Sequence, residues 1–258
     1  MRSSFVRYIV LLGTGILFVG AWWAIAESKH NFSQFAGPPQ TFVALESVFT
    51  NSALSGLLVP ALENTMVAIF LGFSLAVIVG IPIGVLMGRY IVADLVLDPW
   101  VNAWYSVPAV AFVPLVMNWT GLNYGGSIII AFLIAVFSVT LNVYSGIKNC
   151  NATLLDTAAS YRASELQLLY KVMLPASLPR IFVGLRLGLS RAIEGVIISE
   201  MFYAAVGLGG VIDYSADHLQ SATSDALILI LVAISLALTG CLRIIDRKMV
   251  SWKETDSR

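Results

Sequence analysis

The sequence predicts an all-α, polytopic membrane protein with about six transmembrane helices, and three observations predict it. The 258 residues are 58% hydrophobic and only 12% charged, about half the charge density of a soluble domain. The mean hydropathy is +0.85. Uncharged runs long enough to cross a bilayer, about 20 residues each, recur between short charged segments. So little polar surface cannot coat a water-facing globule, which excludes a cytosolic enzyme, a nucleic-acid binder and a disordered chain. Net charge is zero, from 15 basic and 15 acidic residues, so bulk electrostatics names no partner.

The first span is the uncharged run Tyr8 to Ala26, which follows Arg2 and Arg7. Ala24-Ile25-Ala26 resembles a signal-peptide cleavage site, but the 19-residue run ending in Trp22-Trp23 exceeds a signal core of about 7–15 residues. It reads as a retained helix. A polar stretch from Glu27 to about Val59 follows, broken at Gly37-Pro38-Pro39. Within it, apolar positions between Thr41 and Phe49 recur at helical spacing, which predicts a short helix packed on the bundle or lying at the interface.

The second span lies between Glu63 and Arg89. Its Gly80, Gly84 and Gly88 stand four apart, on one helix face, a small-residue stripe that lets helices approach closely in lipid. From Pro99 to Ile147 there are 49 uncharged residues, too many for one span. The turn-rich segment Asn118 to Gly126 divides them into a third span, about 100–117, and a fourth, about 124–147. Pro108 and Pro114 bend or break the third, and broken helices at membrane depth line cavities or pack on protein.

Lys148 to Pro179 is too charged to span. Leu155, Ala159, Leu166, Leu169 and Met173 nevertheless recur at helical spacing, so the segment reads as amphipathic and membrane-adjacent. Span five covers about 181–205 and span six about 226–242. With six spans and the N-terminus inside, fourteen of the fifteen Lys and Arg lie on or near the cytoplasmic side and only Lys29 outside, which fixes the orientation.

Span five carries Arg186, Arg191, Glu194 and Glu200. Charges at this depth cost about 2.5–3.5 kcal/mol each on insertion scales, so they face protein or water. Either they form a structural ion network or they line a pathway. Gly184, Gly188 and Ala192 add a small-residue face. No serine-hydrolase, zinc-protease or phosphate-loop motif is present. Gly207-Leu208-Gly209-Gly210 lacks the strand, helix and basic residue of a phosphate loop. His30 and His218 read as solvated loop residues, Cys150 and Cys241 as small space-filling ones, and no Cys/His cluster has metal-ligand spacing.

The segment Asp156-Thr157-Ala158-Ala159-Ser160-Tyr161-Arg162-Ala163, followed by Val172-Met173-Leu174-Pro175, resembles the Glu-Ala-Ala loop of permease subunits of ATP-binding-cassette importers. Asp156 stands at the Glu position, Thr157 and Ala158 at the two Ala positions, and Leu174 and Pro175 at the Leu-Pro pair. Gly80-Ile81-Pro82-Ile83-Gly84, Leu97-Asp98-Pro99, Val107-Pro108-Ala109 before Val113-Pro114, Leu141-Asn142, Gly184-Leu185-Arg186-Leu187-Gly188, Glu200-Met201 and Gly207-Leu208-Gly209 extend the resemblance from about Val43 to Arg247. The set is similar to the nitrate, sulfonate, taurine and bicarbonate branch. Arg162 departs from the family's glycine, a residue that adopts positive φ cheaply. Arginine there predicts either a continuous helix or a turn formed at a cost.

The resemblance implies the MetI-like ABC importer permease fold and a division of labour. Residues 1–57 supply the first helix and an external loop, 58–247 the permease core with the cytoplasmic coupling loop 148–179, and 248–258 a cytoplasmic tail. Asp156, Thr157, Ala158, Ala159, Arg162, Leu174 and Pro175 couple to an ATPase. Pro108, Pro114, Glu194 and Glu200 line the pathway of a small solute, an anion such as nitrate, a sulfonate, taurine or bicarbonate. The implied partners are an ABC ATPase subunit, an extracytoplasmic substrate-binding protein, a second permease copy in a homodimer and the lipid bilayer, with no nucleic acid, no cofactor and no enzymatic activity in this chain. The implied site is the bacterial cytoplasmic (inner) membrane, both termini cytoplasmic. Acidic pathway residues sit awkwardly with an anionic cargo. The competing reading is a self-contained ion-coupled transporter with Glu194 or Glu200 as the ion site; an intramembrane hydrolase lacks a histidine in the membrane, and a bare scaffold leaves the loop unexplained.

Overall fold

The computed structural model describes residues 2–28, 35–121, 123–203 and 207–249; His30 and the segment 250–258 lie outside them. Among the described residues the regular structure is entirely helical. The helices are α1 (Arg2–Ser28), α2 (Pro38–Thr50), α3 (Ser52–Arg89), α4 (Ile91–Ser106), α5 (Phe112–Thr120), α6 (Tyr124–Lys148), α7 (Ala152–Ser160), α8 (Glu165–Leu168), α9 (Leu174–Tyr203), α10 (Leu208–Asp217) and α11 (Ser221–Met249). Among the described residues, Gly56–Arg89, Tyr124–Lys148 and Ser221–Met249 are long and apolar enough to cross a membrane, and α1 contributes the shorter apolar stretch Leu12–Ser28. The 30 residues of α9 rise about 45 Å, but they carry the four charges noted above.

The core is built on α6, which lies between α3 and α9. Lipid supplies no hydrophobic drive between helices, so close van der Waals contact must hold them. Small residues provide it on both sides. A Cβ on Gly84 would stand 2.6 Å from the Thr140 carbonyl, and one on Gly88 2.6 Å from the Ile147 Cβ. From α9, a Cβ on Gly184 would stand 2.6 Å from the Asn142 Cβ, and one on Gly188 2.6 Å from Val139 Cγ2. Ala131, Ala135, Val139 and Val143 of α6 are fully buried as a result. Ala192 is buried in one cluster with Ala131 and Ala135, which also takes in Leu231, Leu238 and Leu242 of α11. The glycine stripe therefore performs the packing role the spacing implied.

The third span is broken at Pro108, as expected. Two expectations are corrected. The first is its start and the effect of Pro114: the segment begins at Ile91 and not near 100, and Pro114 does not interrupt α5. Helix α4 ends at Ser106, a 3₁₀ turn occupies Ala109–Ala111, and α5 begins at Phe112. Pro108 has no N–H, and its carbonyl accepts from Ala111 (3.0 Å) to close that turn. Pro114 falls in the first turn of α5, where an intrahelical donor is not needed. The second correction concerns Gly207-Leu208-Gly209-Gly210: a helix does follow, α10, although no strand precedes it among the described residues.

Helix α2 extends the short helix expected at 41–49. Its Val48 joins Leu58, Leu208, Ile212 and Leu227 in a second cluster, so it packs on the bundle. Helix α1 touches the rest lightly, through contacts such as Trp22 Nε1 donating to the Ala36 carbonyl (3.0 Å), and Ile16, Leu17 and Phe18 remain exposed. That surface is apolar, as a lipid-facing helix requires.

Gly84→Ala is expected to lower stability by about 1–3 kcal/mol, although alanine favours a helix by up to about 1 kcal/mol. Gly240→Ala, where nothing stands within 4 Å, is the control and is expected to be neutral or stabilising. Thermal unfolding in detergent checks both; equal midpoints would remove the close-packing account.

Candidate functional site

Three groups of residues are candidates for function. The first is the segment after α6. Asn151 caps α7, its side chain accepting from the Thr153 N–H at 2.9 Å. Leu155 turns inward and joins Leu168, Leu169 and Leu174 against Val139, Val143, Ile147, Met173 and Ile181. Asp156, Thr157 and Ala159 face out and Ala158 is half-buried. Leu166 and Ala159, expected on the apolar face, are exposed. Beyond α7 the expected face assumed one helical phase, and two irregularities break it; the exposure of Ala159, which precedes both, has no such explanation.

The first irregularity is at Arg162, whose φ is +54°. The Arg162 N–H donates to the Ala159 carbonyl (2.8 Å) and the Ala163 N–H to that of Ala158 (3.1 Å). This pair of bonds is a Schellman cap, normally a glycine device. The turn is thus kept with arginine in a left-handed conformation, at a cost of about 1–2 kcal/mol. Beyond it, Ser164 and Gln167 cap α8 reciprocally, at 2.9 and 3.3 Å. The second irregularity is a π turn, Leu169–Met173, in which the Leu174 N–H reaches back to Leu169. Pro175 follows immediately. Its ring would collide with the carbonyl four residues back in a regular helix, and the wider turn makes room for it. Leu174 and Pro175 therefore lie where the segment re-enters the bundle, apart from the α7 face. An Arg89–Glu165 ion pair ties α8 to the end of α3, and Lys148 pairs with Asp94 of α4 at 2.7 Å.

The second group lines a cleft of about 430 Å³ that includes Trp104, Tyr105, Pro108, Arg191 and Glu194. Arg191 Nη1 donates to Glu194 at 2.8 Å, and both side chains remain about half exposed. Trp104 stacks on Phe112, ring centroids 5.5 Å apart. Pro108 and Glu194 are thus brought together, while Pro114 is not among the residues lining this cleft. Arg186 pairs with Asp246 of α11 at 2.6 Å, a partner 60 residues away that the sequence did not single out.

Glu200 forms the third group and does not line the cleft. It is 1% exposed. Its carboxylate accepts from the Gly209 N–H (2.9 Å), and Thr65 Oγ1 of α3 lies 2.9 Å from both of its oxygens. The same hydroxyl accepts from the Leu208 N–H (2.8 Å). Free N–H groups and the positive dipole end of a helix favour an anion, and the chain's own carboxylate occupies that place on α10. Gly207 (φ +94°) passes so close that a Cβ would fall inside the Glu200 carboxylate. Thr65 escaped sequence reasoning, because a lone hydroxyl near the start of a span carries no local signal.

Among the described residues, no group of three or more His, Cys, Asp or Glu is placed to hold a metal ion. His218 is exposed, its Nδ1 2.8 Å from the Tyr214 carbonyl. Burial pushes the Cys150 thiol up from its ordinary value, against reactivity.

Residues 80–251 match the model of the binding-protein-dependent transport system inner membrane component family. The taurine transport system permease protein TauC of Escherichia coli is 29% identical over 97% of this chain and 92% of its own length. A putative ABC transporter permease protein of Methanocaldococcus jannaschii is 34% identical over 75% of this chain and 74% of its own. The putative aliphatic sulfonates transport permease protein SsuC of Bacillus subtilis is 31% identical over 83% and 78%. Among solved structures, an inward-facing conformation of the MetNI methionine ABC transporter superposes with a TM-score of 0.69 at 18% identity, covering 77% of this chain and 99% of that one. This likeness establishes the MetI-like fold.

Gly207→Ala is expected to cost about 3 kcal/mol, from its positive φ and the collision with Glu200. Thr65→Val, which leaves the carboxylate short of a donor, is expected to cost about 1–3 kcal/mol, and Thr65→Ser close to nothing. Unfolding midpoints in detergent check the order; a Gly207→Ala chain as stable as the parent would contradict it.

Proposed function

Since this chain belongs to the binding-protein-dependent transport system inner membrane component family, and is the multi-pass permease subunit of an ATP-driven ABC importer, we propose that segment 148–179 is its coupling loop. In this reading the outer face of α7, with Asp156, Thr157, Ala159 and the half-buried Ala158, enters a groove on a separate ATPase subunit together with Arg162 of the turn that follows. Leu174 and Pro175 pass its movement into α9. One observation carries the reading: α7 presents an outward face while its own Leu155, the π turn and the Arg89–Glu165 pair fix the segment to α3, α6 and α9. A surface so anchored transmits a push rather than absorbing it. ATP hydrolysis belongs to the partner, and both termini and the loop lie on the cytoplasmic side, where nearly all Lys and Arg fall. Two copies of the chain pair, and an extracytoplasmic binding protein delivers cargo to their opposite face. In domain terms, 1–57 forms an outer helix and loop, 58–247 the core, and 248–258 a tail.

Pro108 and Glu194 line part of the pathway in this account. The cleft presents a cation and an anion side by side, Arg191 and Glu194, with aromatic walls. A small zwitterion such as an aminosulfonate complements that pair better than a simple anion does, and this removes the awkwardness of an acidic residue on the route. The relative named for taurine supports that zwitterionic class, and the one named for aliphatic sulfonates supports the sulfonate group alone. Pro114 shapes the break beside the cleft, and Glu200 serves the pathway indirectly by holding α10 to α3.

Two measurements test the proposal. Ala158→Glu is expected to reduce the ATPase recovered with the purified chain at least tenfold while insertion and unfolding midpoint stay unchanged, as a buried unpaired charge at an interface would; full recovery would remove the loop assignment. Glu194→Gln is expected to leave ATPase recovery intact and lower solute uptake by reconstituted importer; unchanged uptake would exclude Glu194 from the pathway.

A further inference from the structure

We propose that Arg162 is a charge-coded recognition residue, pairing with a carboxylate in the groove of the companion ATPase. The inference rests on the loop assignment above and goes beyond it, because it names the chemistry the partner must carry.

Arg162 holds a position that suits glycine, with φ +54°. Two hydrogen bonds clamp the turn, from its own N–H and that of Ala163, so the direction in which its side chain leaves the backbone is set. The side chain is exposed and has no ion-pair partner among the described residues. Among the described residues no ion pair offsets the strain of its backbone. Stability lost without an internal gain is characteristic of positions that serve an external contact.

The surroundings indicate the contact. Glu165, the nearest acidic residue in sequence, is already held by Arg89. Of the loop's ionic side chains, Asp156, Arg162 and Lys171 lack an ion-pair partner among the described residues, so the free cations outnumber the free carboxylate. Tyr161, Leu166 and Tyr170 are 84%, 67% and 65% exposed, giving the rim an apolar and aromatic character. A complementary groove is therefore apolar along its walls and acidic opposite the turn. A guanidinium fork on a fixed backbone suits bidentate pairing with a carboxylate, and a mismatched ATPase would bury the arginine unpaired.

The test uses the companion ATPase that co-purifies with the parent chain from its native membrane. Arg162→Gly and Arg162→Lys are compared with the parent for unfolding midpoint and for ATPase retained at low and high salt. Arg162→Gly is expected to raise the midpoint and weaken ATPase retention about tenfold at low salt. Arg162→Lys is expected to keep most of the retention. Opposite movement of stability and association is the signature, since a merely structural arginine would shift both the same way. Undiminished retention by Arg162→Gly, or a lowered midpoint with it, overturns the proposal. Absence of any ATPase from the parent chain overturns the loop assignment itself.

Discussion

The approach of α6 to α3 and α9 at glycine distance is the constraint on which the rest depends. In a bilayer the alternative to helix contact is lipid contact of similar hydrophobicity, so association must come from fit. Glycines on both neighbours let the α6 backbone within reach of theirs. The segment proposed as the coupling loop is the covalent connection between two members of this trio: it leaves α6 at Lys148 and enters α9 at Leu174. Its two ends are thus as fixed as the core itself, and Leu155 and Leu169 seal its inner side against the same residues. A force applied to the outer face of α7 reaches α6 and α9 directly.

Polar groups at depth are resolved by pairing, as the low dielectric of the bilayer demands. Arg186 reaches Asp246, Arg191 reaches Glu194, and Glu200 collects Thr65 and the Gly209 N–H. The three differ in exposure, which separates their roles. Glu200 is enclosed and joins α3, α9 and α10. The Arg191–Glu194 pair opens on a cleft beside the Pro108 break, the place proposed above for part of the pathway.

Much of this was legible in the sequence. Uncharged runs located α1, α3, α6 and α11, because a bilayer excludes charge over a fixed thickness, and α9 was placed despite its charges. Gly80, Gly84 and Gly88 announced a packed face by spacing alone. The conflict at Arg162 was visible only through the family resemblance, whose loop carries a glycine at that position; the positive φ itself came from the structure. Other features were not legible, for physical reasons. The outward turn of Leu166 depends on the Schellman cap and the π turn, which reset the helical phase that a periodicity reading assumes. Helix α10 follows a glycine-rich stretch and depends for its start on Glu200 and Thr65, from two other helices. The Arg186–Asp246 pair joins residues far apart in sequence, and only the packing of α11 on α9 selects it.

The most direct test of the account is to solubilise the protein from its native membrane and identify what co-purifies. An ATPase at equal stoichiometry, with uptake by the reconstituted complex that requires ATP, is the expected result. A homogeneous chain without ATPase that still moves solute into vesicles under a proton gradient would contradict it.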